Sequence, residues 1–123
     1  MKPTSDQPAI RVVMMPRDTN PQGSIFGGVL LSLIDEAAFV EARRQAEHSY
    51  GTVAMNGVEF HRPVFVGDVL SLWAQTTRIG RTSITVHVVV HAVHPGGEET
   101  RVTEADVTLV AIDAEGRPVP VMG

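Results

Sequence analysis

The sequence predicts a single α+β domain in which one long central helix is wrapped by a curved antiparallel β-sheet. A helical pattern without proline runs from about residue 27 to residue 47, and four later segments alternate with a period of two. The segments that join those four are short, which favours antiparallel neighbours. The helix is apolar on almost all sides from Val29 to Ala42, so the sheet alone cannot cover it. A second copy of the chain is the simplest additional cover.

Each predicted element has its own signal along the chain. The first short strand ends at Pro16, Ser24 is a candidate N-cap of the helix, and Gly51 marks the helix exit. A β-bulge is expected at Gly57, because an isolated glycine inside a strand pattern often indicates one. The strands are expected at residues 9–15, 52–64, 69–78, 83–93 and 100–113.

Length and composition limit the class of protein. With 123 residues the chain is expected to be one domain, 1–123, with residues 1–8 and 117–123 as loose ends. A net charge of −4 and only one Trp, one Tyr and four Phe argue against nucleic acid as a partner. The longest apolar stretch, residues 25–42, contains three carboxylates and is a poor membrane span. Because there is no cysteine and no visible signal peptide, a cytoplasmic location is expected.

The segment DTNPQGSIFGGVLLSLIDEAA, residues 18–38, carries the strongest chemical pattern. Asp35 lies seven residues after Gly28, so the two share one helix face about 10 Å apart along the axis, and Ser32 and Phe39 line that face as well. The first N–H groups of a helix are unpaired and carry the positive end of its dipole, and glycine leaves room for a carbonyl to approach them. A carbonyl polarised there, with a carboxylate further along, is a hydrolytic arrangement. Two simpler interpretations stay open, in which Asp35 is a solvated residue and the glycine pair only permits close packing.

Three blocks of the sequence resemble one known family. PRDTNPQGSIFGGVLLSLIDEAA, VEFHRPVFVGDVL and IGRTSITV fall in order within residues 12–113 and are similar to the hot-dog acyl-CoA thioesterases, the YciA-like and cytosolic brain-type acyl-CoA hydrolases. The first block is the most specific, with an aspartate fifteen residues after its asparagine. The resemblance implies a hot-dog fold and a homodimer that assembles further, as a dimer of dimers or a trimer of dimers. It also implies hydrolysis of acyl-CoA to free acid and CoA-SH at the dimer interface, without a metal or another cofactor.

The same resemblance implies roles for individual residues. Asp35 matches the catalytic carboxylate, as general base or nucleophile, Asn20 matches its partner from the opposite subunit, and Gly28 matches the source of an oxyanion amide. The residues expected to contact the substrate or its coenzyme A are Phe26, Gly27, Ser32, Arg62, Gly80, Arg81, Thr82 and Ser83. Arg81 in a tight turn suits a phosphate, although a solvated hairpin arginine is the alternative.

Two other functions and a metal site fit the sequence less well. A hot-dog module that binds acyl-CoA as a sensor or regulator, without hydrolysis, would have no need of Asp35. Hot-dog enoyl-CoA hydratases carry a similar Asp-x-Asn-Pro segment, but the histidine of their signature would fall on Gly23 here. His87 and His91 would be about 13 Å apart in a strand, too far to share a metal ion, so no metal site is expected.

Overall fold

In the described residues, 1–2 and 5–123 of the computed structural model, the chain forms one α-helix, one 3-10 turn and one five-stranded sheet. The elements are β1 (Ile10–Val13), the 3-10 turn (Pro16–Asp18), α1 (Gly27–Gln45), β2 (Ser49–Phe60), β3 (Val69–Ile79), β4 (Ser83–Val93) and β5 (Glu99–Ile112). The sheet order is β1-β3-β4-β5-β2, and every neighbouring pair is antiparallel. The predicted class, one long helix with an antiparallel sheet, is confirmed.

The helix packs one apolar stripe against the sheet. The aliphatic members of this stripe recur with helical spacing and are at most 3% exposed: Leu30, Ile34, Ala37, Ala38 and Ala42. Alternate residues of β4 are fully buried in the same core: Ile84, Val86, Val88, Val90 and Ala92. The helix residues left exposed include Ser32, Glu36, Phe39 and Val40. One chain therefore does not cover the helix on all sides.

No helix among the described residues is long and apolar enough to cross a membrane.

Helix α1 begins at Gly27, as predicted, but the residues that cap its two ends are not the predicted ones. The N-cap is Phe26 in an extended conformation, not Ser24, whose side chain is hydrogen-bonded within the preceding loop. At the other end the chain leaves the helix at Ala46, which is also extended and whose carbonyl accepts a hydrogen bond of 2.6 Å from the Tyr50 hydroxyl. Gly51 lies inside β2, so the predicted helix exit was wrong. The tyrosine hydroxyl satisfies a terminal carbonyl, and no left-handed glycine is needed there.

The predicted bulge in β2 is confirmed. Gly57 has a φ of +63°, and the β2–β5 register shifts between Asn56 and Glu59. Glycine suits this position because other residues are strained at such a φ. The strand itself begins at Ser49 and ends at Phe60, earlier at both ends than the predicted range of 52–64.

The C-terminal residues are docked on the domain rather than loose. Val121 is 2% exposed, its N–H donates to the Arg81 carbonyl at 2.9 Å, and its carbonyl accepts a hydrogen bond of 2.8 Å from His48 Nε2. The Val119 N–H donates to a β5 carbonyl at 2.8 Å. The expectation of a loose end at residues 117–123 was therefore wrong, because the valine side chains gain more by packing than by remaining in water.

The N-terminal stretch was also expected to be loose, and its residues 3 and 4 lie outside the described residues. Lys2 contacts the end of α1. Its backbone N–H donates to Gln45 Oε1 at 2.8 Å, and Gln45 Nε2 donates back to the Lys2 carbonyl at 3.2 Å. The Lys2 ammonium donates to the Arg44 carbonyl at 2.6 Å, which places a cation at the negative end of the helix dipole.

Glu41 is a carboxylate within the buried stripe, only 4% exposed. It accepts hydrogen bonds from Thr76 Oγ1 at 2.6 Å, Arg44 Nε at 2.8 Å and Gln45 Nε2 at 3.0 Å. Burial raises the pKa of Glu41, but these three donors and the charge of Arg44 together outweigh burial and hold the pKa below its ordinary value. The carboxylate is thus ionised and fully partnered where α1 packs on β3.

Replacing Val121 with alanine is expected to lower the free energy of unfolding by about 1–2 kcal/mol, because it removes buried methyl groups. Denaturant unfolding measures this change. Met122→Ala is the matched control, since Met122 is 51% exposed and its truncation should change stability by less than about 0.5 kcal/mol. Equal effects of the two substitutions would contradict the docking of the tail.

Replacing Glu41 with glutamine is expected to lower stability at neutral pH by about 2 kcal/mol, because Arg44 loses its charged partner. The folded pKa of Glu41 is depressed, so its stabilisation is fully present above the ordinary value of 4.5 and is lost as pH falls through the lower folded value. Denaturant unfolding from pH 7 to below 4 should show that the difference in the free energy of unfolding between parent and variant becomes smaller at acid pH. A difference that stays constant over this range would be inconsistent with the network.

Candidate active site

The first turn of α1 presents two free backbone donors. Phe26 caps the helix without a side-chain hydrogen bond, and the Val29 N–H is 3.0 Å from the Phe26 carbonyl. Among the described residues, no acceptor meets the N–H groups of Gly27 and Gly28. A Cβ atom on Gly28 would contact only the Phe26 ring, at 3.6 Å, so its amide can be approached. Free amides at the positive end of a helix can bind a carbonyl oxygen or an oxyanion.

Asn20 builds the loop that leads to the helix. Its Oδ1 accepts hydrogen bonds from the N–H groups of Gln22 and Ser24, at 3.0 and 3.1 Å, and its Nδ2 donates to Ser24 Oγ at 2.9 Å. The second Nδ2 hydrogen has no acceptor among the described residues and can be donated to another molecule. Within the described part of the chain no hydrogen bond joins Asn20 to Asp35.

Asp35 is half-buried on the side of α1 that faces β2. The Thr52 hydroxyl donates to Asp35 Oδ1 at 2.6 Å, and Oδ2 has no partner among the described residues. This bond fixes the orientation of the carboxylate and leaves one oxygen for water or a substrate. The sequence reasoning did not name Thr52 as a site residue. Thr52 could have been proposed from its position, because it is the first residue of the predicted strand that follows the helix.

Two cavities flank these groups. The first, of about 590 Å³, is lined by Ile10, Asp35, Glu36, Phe39, Val40, Tyr50 and Thr52. The second, of about 340 Å³, lies at the start of α1, and its walls include Gly27, Phe60, His61 and Arg62. The structure therefore brings Arg62 and Gly27 into one cavity and Asp35 into the other. The exposed side chains of Phe26 and Ser32 line neither of the two.

The turn from Gly80 to Ser83 joins β3 to β4. The Gly80 N–H donates to the Ser83 carbonyl at 2.8 Å, and the Thr82 carbonyl accepts a hydrogen bond of 2.9 Å from β5. A Cβ atom on Gly80 would come 2.8 Å from Ser83 Oγ, so a larger residue would displace that side chain. Arg81 is exposed, and its guanidinium has no partner in the described ranges. The turn thus leaves a cation free to bind an anion.

This turn lies at the far end of the sheet from the start of α1. Through β5, the Ser83 end of β4 is aligned with the Ser49 end of β2. Gly27 instead lies against Phe60 at the opposite end of β2, on the order of 30 Å away along the strand. One chain consequently does not bring Arg81 to the helix start.

The histidines of β4 are paired with carboxylates. His87 Nδ1 lies 2.8 Å from Asp106 Oδ1, and His91 Nδ1 lies 3.0 Å from Glu99 Oε1, which agrees with the prediction that they are sheet-face residues. The described residues include one group whose ligand atoms lie within 4.8 Å of one another: Glu59, His61 and Glu104. Arg101 donates to this Glu104 at 3.1 Å, so part of the negative charge of the group is already balanced.

Comparisons with known proteins agree with this arrangement. The model of the Thioesterase superfamily matches residues 22–98. An uncharacterized acyl-CoA thioester hydrolase of Zymomonas mobilis is 42% identical over 120 residues, covering 94% of this chain and 78% of the relative. The acyl-CoA thioester hydrolase YciA of Salmonella typhimurium is 40% identical over 120 residues, covering 93% and 90%. A solved hexameric hot-dog fold thioesterase of Campylobacter jejuni is 40% identical with a TM-score of 0.88, covering 94% of this chain and 90% of the other.

The match to the family model begins two residues after Asn20, includes α1 with its two free amides, and ends just before β5. The relatives extend the agreement over nearly the whole chain, in sequence and in fold. The chain therefore belongs to the thioesterase superfamily and has its hot-dog fold.

Proposed function

We propose that the protein is an acyl-CoA thioesterase, which hydrolyses acyl-CoA to a free carboxylic acid and CoA-SH. The observation that carries the proposal is the combination of free amides at Gly27 and Gly28 with the half-free carboxylate of Asp35 on the same helix. The names of the relatives support hydrolysis rather than binding alone. The proposal keeps the cytoplasmic location expected from the cysteine-free sequence.

In the proposed reaction, the thioester carbonyl oxygen binds the Gly28 N–H, where the helix dipole stabilises the developing negative charge. Because Asp35 lies about 10 Å along the helix from Gly28 of its own chain, the carboxylate comes from the facing subunit. The partner's Asp35, oriented by Thr52 of that subunit, takes a proton from the attacking water or attacks the carbonyl carbon itself. Asn20, from the subunit that supplies Gly28 and opposite to the one that supplies Asp35, positions the water or the carbonyl.

On the general-base path, the water oxygen bonds to the carbonyl carbon, the carbon–sulfur bond breaks, and the proton taken by Asp35 passes to the sulfur as CoA-SH leaves. On the nucleophilic path, the carboxylate displaces the thiolate and forms an anhydride with the acyl group. Water then hydrolyses the anhydride to the free acid and the Asp35 carboxylate and supplies the proton of CoA-SH. This chemistry requires no metal or redox cofactor, since coenzyme A is part of the substrate.

A second copy of the chain completes the site in this proposal. β2 is a free edge strand of 12 residues with Val53 62% exposed and Phe60 51% exposed, and long edges of this kind need cover. A twofold axis beside β2 would pair the strand with an antiparallel copy of itself. The partner's Ser49 end would then lie near the Phe60 end of this chain. The same operation would bring the partner's Arg81 towards Gly27.

The remaining predicted contacts follow from this dimer. Phe26, Gly27 and Ser32 lie along the helix side of the substrate path. Coenzyme A runs past Arg62, and its phosphates reach the turn formed by Gly80, Arg81, Thr82 and Ser83. The Campylobacter relative is hexameric, which supports further assembly of the dimer, as a trimer of dimers.

Replacing Asp35 with asparagine should lower kcat/KM for acyl-CoA hydrolysis by about a hundredfold or more, because the variant lacks the base or nucleophile. Thr52→Val should lower it by about tenfold, because the carboxylate loses only the hydrogen bond that orients it. Release of CoA-SH from short, long and aromatic acyl-CoAs measures both. Full turnover by Asp35→Asn would refute the assigned site, and binding without turnover by the parent would refute the enzyme.

Mixing two defective variants tests the contribution of a second chain. Asp35→Asn removes the base or nucleophile, and Asn20→Ala removes the amide that positions the water or the carbonyl from the opposite subunit. Random re-assembly of the two should restore about a quarter of the parent rate at low acyl-CoA concentration, because each heterodimer has one intact site. Re-assembly of each variant with itself is the control. Failure of the mixture to exceed these controls would mean that the two residues act within one chain.

A further inference from the structure

The cavity beside Asp35 has an apolar wall. It opens between the two edge strands of the sheet, with Ile10 from β1 and Tyr50 from β2. The helix contributes Phe39 and Val40, which are 39% and 45% exposed. The rings of Phe39 and Tyr50 meet edge to face, with centroids 6.3 Å apart. A cavity of about 590 Å³ with such a wall suits a small apolar group.

The Tyr50 hydroxyl is not available to a ligand in this cavity. It donates to the Ala46 carbonyl at 2.6 Å, which also holds the ring in place. Burial raises the pKa of the Tyr50 phenol more than the charge of Arg43 lowers it, so the hydroxyl stays neutral and bonded. Tyr50 therefore contributes the carbon atoms of its ring to the cavity wall, and no free hydrogen-bond donor.

The charged groups that line the cavity are both negative. They are Asp35 and its neighbour Glu36, and the cavity wall contains no lysine, arginine or histidine among the described residues. The Thr52 hydroxyl is already used by Asp35. Arg43, further along the helix, donates to Glu47 at 3.0 Å. An anionic group entering the cavity would therefore meet like charge without a compensating cation from this chain.

We infer that this cavity holds the acyl group of the substrate and selects uncharged acyl groups, with Glu36 rejecting acyl groups that carry a distal carboxylate. The inference rests on the proposed thioesterase function and adds the substrate class. Asp35 faces the same cavity, so an acyl chain there lies next to the reacting carbonyl. Phe39 and Tyr50 contact the carbon chain, and Glu36 determines specificity without taking part in the chemistry.

Two substrates of equal length test the inference on the assembled protein: hexanoyl-CoA and adipoyl-CoA, which differ by a distal carboxylate. The parent should favour hexanoyl-CoA in kcat/KM by about a hundredfold, since the anion enters a cavity with two carboxylates. Glu36→Gln should reduce this preference about tenfold, chiefly by raising kcat/KM for adipoyl-CoA. Glu36→Lys should reduce it further. Raising the salt concentration should narrow the preference of the parent, because salt screens the repulsion.

Two further variants separate charge from packing. Glu115→Gln removes one exposed carboxylate outside the cavity and should leave the preference unchanged. Phe39→Ala should lower the preference for hexanoyl-CoA over acetyl-CoA about tenfold, because the longer chain loses its aromatic contact.

The outcomes distinguish the inference from the function on which it rests. Reduced preference in both Glu36 variants, but not in Glu115→Gln, supports the inference. Turnover of both substrates at similar efficiency by the parent overturns it and leaves the thioesterase intact. If the parent prefers hexanoyl-CoA but neither Glu36 variant changes that preference, the inference is overturned and the thioesterase function still stands. Failure of the parent to hydrolyse any acyl-CoA overturns both the inference and the proposed function.

Discussion

Helix α1 is both the centre of the core and the support of the candidate active site, and the division of its faces constrains everything else. Ile34, Ala37 and Ala38 are fully buried in the core. The small alanine side chains let the helix lie close to the sheet. Because successive residues of a helix are rotated by about 100°, burying Ile34 turns Asp35 towards the open side beside β2. Core packing therefore aims the carboxylate, and a shift of the helix would move it.

The two partly or fully buried carboxylates of α1 differ in how they are satisfied. Glu41 has donors from Thr76, Arg44 and Gln45, and its depressed pKa reflects the strength of these bonds. Asp35 has one donor, the Thr52 hydroxyl, and one oxygen without a partner in the described chain. A saturated carboxylate stabilises the fold, whereas a half-satisfied one beside a cavity can still accept a proton or attack a carbon. Glu41 is therefore occupied by its donors, whereas Asp35 keeps one oxygen that no described residue binds.

A single chain leaves the proposed site incomplete for a geometric reason. The free amides lie at the Phe60 end of β2, and Arg81 lies at the Ser49 end. A substrate as long as acyl-CoA needs an apolar group, a reacting centre and a phosphate site in one line. The antiparallel meander of this sheet cannot fold its own far turn back over the helix start. In the proposed dimer, the twofold partner would complete this line and would pack against the exposed side of α1.

Local sequence patterns were sufficient to predict the elements of the fold and part of the candidate site. The periods of two and 3.6 predicted the element types, the lone Gly57 predicted the bulge, and the spacing of Gly28 and Asp35 predicted one shared helix face, because each depends on residues close in sequence. Helix termination at Ala46, the docked tail and the contact of Thr52 with Asp35 were not predicted. These features depend on strand register and on side chains distant in sequence, which only the packed sheet brings together.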